Sequence, residues 1–217
     1  MTYYYDDEKW TDKLIGEDEN LTEKQISIIK TTALLFMQKG YEATSTKEIS
    51  KMAKVAEGTI FKHYGTKKEL LMEVVSRIMK ALVIPVMVTG IDKLVEDDYE
   101  TLDDFVYSLI YNRIEVITEA APLIKILVQE IPFHNEIQNI LISNKPELPY
   151  NRLFDKLKAK HFIIDIPNDE LFKLIVSTVG GYLITHYVIF PDFFNRDPEK
   201  ELHNLVSFIV RGLKQYE

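Results

Sequence analysis

Apolar residues recur at helical spacing along most of the chain, and that periodicity sets the elements to expect. Ile26, Ile29, Ala33 and Phe36 share one face of a first amphipathic segment, and Ile49, Met52 and Ala53 one face of a shorter second. A third, roughly Glu57 to Tyr64, can bury Ile60 and Tyr64 one turn apart and leave Thr59, Lys62 and His63 outward. Leu71, Val74, Val75, Ile78 and Leu82 form a further stripe that Pro85 should kink or end, since proline removes a donor and clashes with the preceding turn. Leu102 to Ala120 is apolar on most sides, with a narrow polar stripe of Asp104, Ser108, Asn112, Glu115 and Glu119, as befits a helix inside a bundle.

Capping residues mark where three of these helices begin. A Ser or Thr followed three residues later by Glu or Gln satisfies the open amides of a helix start, and the pair recurs at Thr22/Gln25, Ser45/Glu48 and Thr66/Glu69. Leu21 and Ile26 occupy the two positions of a hydrophobic staple at the first start, and Gly40 and Gly65 supply stops. Gly58 is out of place inside a helix, where it costs about 1 kcal/mol relative to alanine. Two readings explain it: close approach of the backbone to a phosphate or base, or crowding against the preceding helix.

Charge is unevenly spread. Residues 22–68 carry nine lysines and four glutamates, a net +5, in a chain of net −8, so everything else sums to −13. Segregation of this kind is the footprint of a phosphate-binding surface, although a solvated lysine face has the same composition.

On these residues rests a family resemblance. The stretch from Thr22 to Leu71, above all VAEGTIFKHYGTKKELL, closely resembles the DNA-binding domain of the TetR family of bacterial transcriptional regulators. It covers about a quarter of the chain; the remainder agrees only in length and helical texture. The resemblance implies an all-α fold of about nine helices, with a three-helix helix-turn-helix domain over 21–66 and a C-terminal bundle over 67–217 for ligand binding and dimerisation; residues 1–20 precede them as an acidic extension. By position it puts Thr44, Ser45, Thr46 and Lys47 against phosphate at a helix start, Gly58, Thr59 and Lys62 in the groove, and His63, Tyr64 and Lys67 at or beyond its edge. Many family members have Tyr where this chain has Phe61; Phe cannot donate to a phosphate, which leaves packing or contact with a thymine methyl. Glu57 either favours the helix N-terminus or accepts from a cytosine amino group.

The lead MTYYYDDEKWTDKLIGEDEN has seven acids and two lysines, a net −5, and reads as a partly disordered acidic segment. A sharper alternative anchors it through Tyr3, Tyr4, Tyr5 and Trp10 so that its charge weakens operator binding. It lacks a basic start and an apolar core, so no secretory signal is expected and the chain should be cytoplasmic. There is no cysteine, which removes disulfides, thiolate metal sites and thiol nucleophiles.

In the C-terminal part, Arg113 interrupts the apolar surface made by Val106, Leu109, Ile110 and Ile117, either as anchor for an anionic ligand head or snorkelling to a carboxylate. With Phe105, Tyr111, Tyr182 and His186 it forms the candidate effector site. The aromatic supply there, including Tyr107, Phe133, Phe154, Tyr187 and Phe190, favours a lipophilic or aromatic effector, although such residues are core by default. The apolar run Asn168 to Phe190 is expected to be a buried helix rather than a membrane span, because Lys173 and His186 interrupt it. Its small-residue stripe Ser177, Gly181 and Thr185, with Leu202, Leu205, Val206, Ile209 and Leu213 of the last helix, is the candidate homodimer interface, which the resemblance also implies.

An enzyme is not expected. His161/Asp165 and Tyr182/His186 are helically spaced pairs without the further partners that zinc or a catalytic triad requires, and there is no phosphate-cradling glycine loop, so no cofactor or metal is anticipated. The expected function is that of a homodimeric regulator, a repressor released from double-stranded operator DNA by a small molecule. Alternatives are an effector-independent activator or chromosomal site-marker of the same fold, or a helical protein-binding adaptor.

Overall fold

The computed structural model describes residues 7–16, 20–83, 85, 91–96, 99–143, 150–191 and 197–214. Tyr3, Tyr4, Tyr5 and the side chains of Trp10, Glu115 and Glu119 lie outside what is described. Among the described residues every regular element is helical, as the periodicity requires.

The chain divides into two compact units. One comprises residues 1–85 with 122–145, the other 86–121 with 146–217. Compactness therefore groups 122–145 with the N-terminal helices, whereas the expected division at residue 66 rests on the motif.

The first unit begins with α1, Asp7–Ile15, followed by α2, Glu23–Lys39, and α3, Thr46–Met52. Next come α4, Glu57–Tyr64, and α5, Lys67–Ile78, which widens into a π-helical stretch at Met79–Val83 as it nears Pro85. All three capping pairs form: Thr22 and Gln25 make a reciprocal box, Ser45 accepts from the Glu48 amide and Thr66 from the Glu69 amide. Gly40 and Gly65 end α2 and α4 at φ 83° and 69°, the left-handed region that glycine tolerates. At Gly65 a Cβ would also lie 2.3 Å from the Glu69 carboxylate.

Ile28, Leu35, Ile49, Ala53, Ile60 and Leu70 make the core that fixes α2, α3, α4 and α5 together, with Val55 and Tyr64 against its edge. Met52, expected on the buried face, is 46% exposed; it is the last residue of a seven-residue helix, and Ala53 fills the contact instead.

α1 is a correction to the expected disorder. The segment 7–15 is helical, buries Thr11 and Leu14, and packs on α2 and α5. Arg77 of α5 donates to the Leu14 carbonyl at 3.3 Å and Asp12 holds Lys30 of α2.

The second unit contains α6, Ile91–Glu96, and most of α7, Leu102–Glu130, which runs through Pro122 into the first unit. Leu102, Phe105, Val106, Leu109, Ile110 and Ile117 line its buried side. A short 3-10 turn, Ile131–Phe133, leads to α8, Asn135–Ser143, in the first unit. The second unit resumes with α9, Tyr150–Ala159, α10, Asn168–Ile189, and α11, Pro198–Leu213. α10 contains two π-helical stretches, Val176–Gly180 and Thr185–Ile189. It is not the buried helix expected: its apolar window is only 22% buried, although length and composition alone would let it cross a membrane.

Candidate nucleic-acid interface

The turn between α3 and α4 puts Lys54 at φ 54° and closes with the Val55 amide donating to Ser50 at 3.0 Å. α4 then follows α3 as the second helix of a helix-turn-helix. The Thr46 hydroxyl donates to Glu57 Oε1 at 2.6 Å, so the first residue of α3 is tied to the first of α4. Glu57 is thus a tether at the helix N-terminus with one oxygen already engaged.

The expected contact residues separate into open and internal ones. Ser45, Lys47, Gly58, Phe61, Lys62 and His63 are exposed, and Thr46 and Thr59 half-buried. Thr44 is 2% exposed; its hydroxyl donates to the Gly40 carbonyl at 2.8 Å and its amide to Tyr41, so its donors are used within the chain. Tyr64 turns inward: its hydroxyl is buried without a hydrogen-bond partner, and burial, reinforced by Glu73, pushes its pKa up to about 12. Lys67 is half-buried, its ammonium 4.1 Å from the Tyr41 ring centre and 3.4 Å from the Glu42 carbonyl. A cation on an aromatic face is held electrostatically, so Lys67 braces the loop 40–45.

Tyr41 was not foreseen. It packs edge-on against Phe36 and His134, and burial raises its pKa. No local pattern marks a loop tyrosine for this task; only the fold brings His134 beside it.

For Gly58 the structure removes one of the two readings. A Cβ there would meet nothing within 4 Å, so no neighbouring helix crowds it.

The effector candidates fall into two clusters in the second unit. Arg113 is 8% exposed; burial lowers its pKa while the Tyr150 hydroxyl, hydrogen-bonded to it, holds the charge. Tyr150 stacks on Phe154 and tilts against Phe172 with ring centres 4.9 Å apart. Phe105 is fully buried core. Tyr182 and His186 stack at 4.9 Å, and the buried His186 lies 3.3 Å from Glu201. Tyr111 belongs to neither cluster: it is 61% exposed and stacks on Tyr107 along the outside of α7. Phe133 and Phe190 are also open, which thins the expected aromatic supply. Tyr150 and Phe172 replace them, joined by tertiary packing that spacing does not reveal.

The dimer candidates divide similarly. Ser177 and Gly181 are exposed and Thr185 half-buried on α10. On α11, Val206, Ile209 and Leu213 are buried within the protomer, and Leu202 and Leu205 half-buried. Open apolar residues here include Leu174, Val176 and Ile189 on α10 and Phe208 on α11, the last 69% exposed. Phe208 sits off the apolar stripe of its helix, and that was the available signal. Among the described residues, no group of three or more metal-binding side chains gathers anywhere.

Fold and surface together define a helix-turn-helix protein with a helical C-terminal part. Residues 28–74 match the profile of the family described as bacterial regulatory proteins, tetR family. The TetC protein of transposon Tn10 from Escherichia coli is 38% identical over 55 residues, 25% of this chain and 28% of TetC, so that likeness is confined to the DNA-binding region. The HTH-type transcriptional regulator YvkB of Bacillus subtilis is 25% identical over 192 residues, 86% of this chain and 95% of YvkB. A TetR family protein of known structure from Vibrio parahaemolyticus shares the fold at TM-score 0.62 and 19% identity, over 89% of this chain and 100% of that one. Residues 28–74 are thus a DNA-binding domain of the tetR family of bacterial regulatory proteins, and the remainder shares the helical fold of such proteins.

Proposed function

We propose that this chain is a homodimeric, sequence-specific DNA-binding transcriptional regulator of the bacterial cytoplasm, a repressor released from a pseudo-palindromic operator by a small molecule, and not an enzyme. The observation that carries the reading is the outward face of α4, where Gly58, Thr59, Lys62 and His63 lie open or half-open beside Lys47 of α3. Lysines on one face neutralise phosphates, and the helix supplies side chains to base edges. Two such helices in a dimer would enter successive major grooves about 34 to 36 Å apart, or a multiple of that.

The second copy covers α10. Leu174, Ser177 and Gly181 share one face of α10 and leave an apolar, small-residue surface open on the protomer, and Phe208 is open on α11. Close helix approach over small residues, with flanking aliphatic side chains, favours a symmetric helical interface. Replacing Gly181 with Leu should convert dimer to monomer in sedimentation and abolish operator binding; a Gly181→Leu dimer would sink this interface.

Arg113 with Tyr150, Phe154 and Phe172 supports an effector that is lipophilic or aromatic with an anionic or hydrogen-bonding head. Such a ligand acts only through different affinities for the DNA-competent and released states. The first test is binding to DNA upstream of the protein's own gene, across salt, for wild type and a Lys47→Ala, Lys62→Ala double variant, both lysines being exposed. Tight, steeply salt-dependent wild-type binding that the variant loses supports the regulator. Absence of specific binding to that DNA and to any duplex selected from a random pool overturns it.

A further inference from the structure

Phe61 is the exception on α4. Ile60 beside it is fully buried and the Tyr64 hydroxyl is sealed, yet Phe61 keeps 46% of its surface open among Lys62, His63 and Gly58. Packing within the protein, one of two roles open to it from sequence, therefore accounts for only part of the ring.

Its nearest helical neighbour on that side is Gly58, three positions earlier. A side chain at 58 would meet nothing in the chain, so the backbone there is bare and the space next to the ring is free. The result is an open stretch of bare backbone on the helix surface, with the exposed Phe61 ring one turn on and Lys62 and Thr59 beside them. Phenylalanine has no donor for a phosphate and no acceptor for a base amine. Among base edges in the major groove, the apolar group is the 5-methyl of thymine.

We propose that Phe61, beside the bare backbone of Gly58, packs on the 5-methyl group of a thymine in each operator half-site and so specifies T·A at that position. The proposal rests on the reading of α4 as the groove-entering helix. Lys62 one residue on would neutralise phosphate while Phe61 reads the methyl, so affinity and specificity come from adjacent residues by different physics. Loss of one buried methyl should cost about fourfold per half-site, or about fifteenfold when both are changed.

The test uses the full-length protein and a duplex that it selects from a random-sequence pool. Each thymine of the half-site is replaced in turn by deoxyuridine, symmetrically in both half-sites, which removes the methyl and leaves base pairing intact. Dissociation constants are measured by fluorescence anisotropy at fixed salt for wild type, Phe61→Ala and Phe61→Leu. The expected result is one position where uracil weakens wild type and Phe61→Leu but leaves Phe61→Ala unaffected. A selected duplex on which no uracil weakens wild type, or on which Phe61→Ala keeps the same methyl dependence, overturns the proposal while leaving the regulator reading intact. Failure of wild type to select any duplex overturns both. Should Phe61→Ala unfold by circular dichroism, the wild-type uracil scan with Phe61→Leu still decides, since a wild type indifferent to every methyl is incompatible with the contact.

Discussion

The hydroxyl of Thr46 reaches the carboxylate of Glu57 across 2.6 Å and joins the first residue of α3 to the first residue of α4. The hydrogen bond thereby ties together the starts of two helices that the core already packs against each other. Thr46→Val keeps the shape, removes the donor and leaves a half-buried carboxylate short of a partner, at a cost of about 1.5 kcal/mol. Thermal unfolding should register that loss, and Thr46→Ser should restore most of it. Glu57→Gln keeps an acceptor for Thr46 and deletes a negative charge beside the groove-facing set. Its operator affinity should rise severalfold at low salt; a fall would make the carboxylate a base contact instead of a tether.

Gly58 separates stability from binding. Nothing in the chain crowds that position, so Gly58→Ala should stabilise the domain by up to about 1 kcal/mol through helix propensity. Operator affinity should nevertheless fall, because the added methyl stands between the helix and the DNA. Both quantities come from one preparation, by thermal melt and by anisotropy titration. A variant that is more stable and binds equally well would place Gly58 away from the groove.

Tyr64 should have no part in DNA contact. Its buried hydroxyl lacks a partner, so Tyr64→Phe is expected to hold or slightly raise stability while leaving operator affinity unchanged. The sign of its pH effect follows from burial favouring the neutral phenol. The unfolded phenol ionises near pH 10 and the folded one near about 12, so stability is intact below 10 and declines between those values. Partial exposure screens the effect, and Tyr182, also pushed up to about 12, adds a decline in the same window. Alkaline denaturation of Tyr64→Phe should therefore be shallower than that of wild type. An identical curve would mean that Tyr64 is solvated.

What could be read in advance was local. Capping pairs act within one turn, so Thr22, Ser45 and Thr66 marked three helix starts that the structure reproduces, and the span of α4 matches the expected one. What escaped depends on distant residues. Lys67 looks like a phosphate ligand until Tyr41 is beneath it, and the Thr44 hydroxyl looks free to donate to phosphate until it is seen donating to the Gly40 carbonyl. The burial of Val206, Ile209 and Leu213 inside the protomer inverts the reading of α11, because an apolar stripe does not say which body it faces. α7 extends the apolar segment Leu102 to Ala120 through Pro122 to Glu130. A proline removes one donor and crowds the preceding turn, and α7 runs on through both.

The acidic lead carries two effects that one deletion would mix. α1 buries Leu14 and receives Arg77 at its last turn, so removing residues 1–20 strips cover from α2 and α5 and should cost about 2 kcal/mol from the leucine alone. The same deletion removes a net charge of −5, which by itself should tighten operator binding. Asp12→Asn isolates the charge term. Asp12 is exposed and pairs with Lys30, a surface ion pair worth about 0 to 1 kcal/mol, so the melting temperature should barely move. Lys30 is released to the positive field around the DNA-facing helices, and affinity at low salt should rise by about two- to threefold, with the gain vanishing as salt screens it. Leu14→Asp makes the reciprocal case: stability should drop while the added charge weakens binding further. If Asp12→Asn leaves affinity unchanged at every salt concentration, the lead acts as a structural brace on α5 and its charge has no influence on the operator.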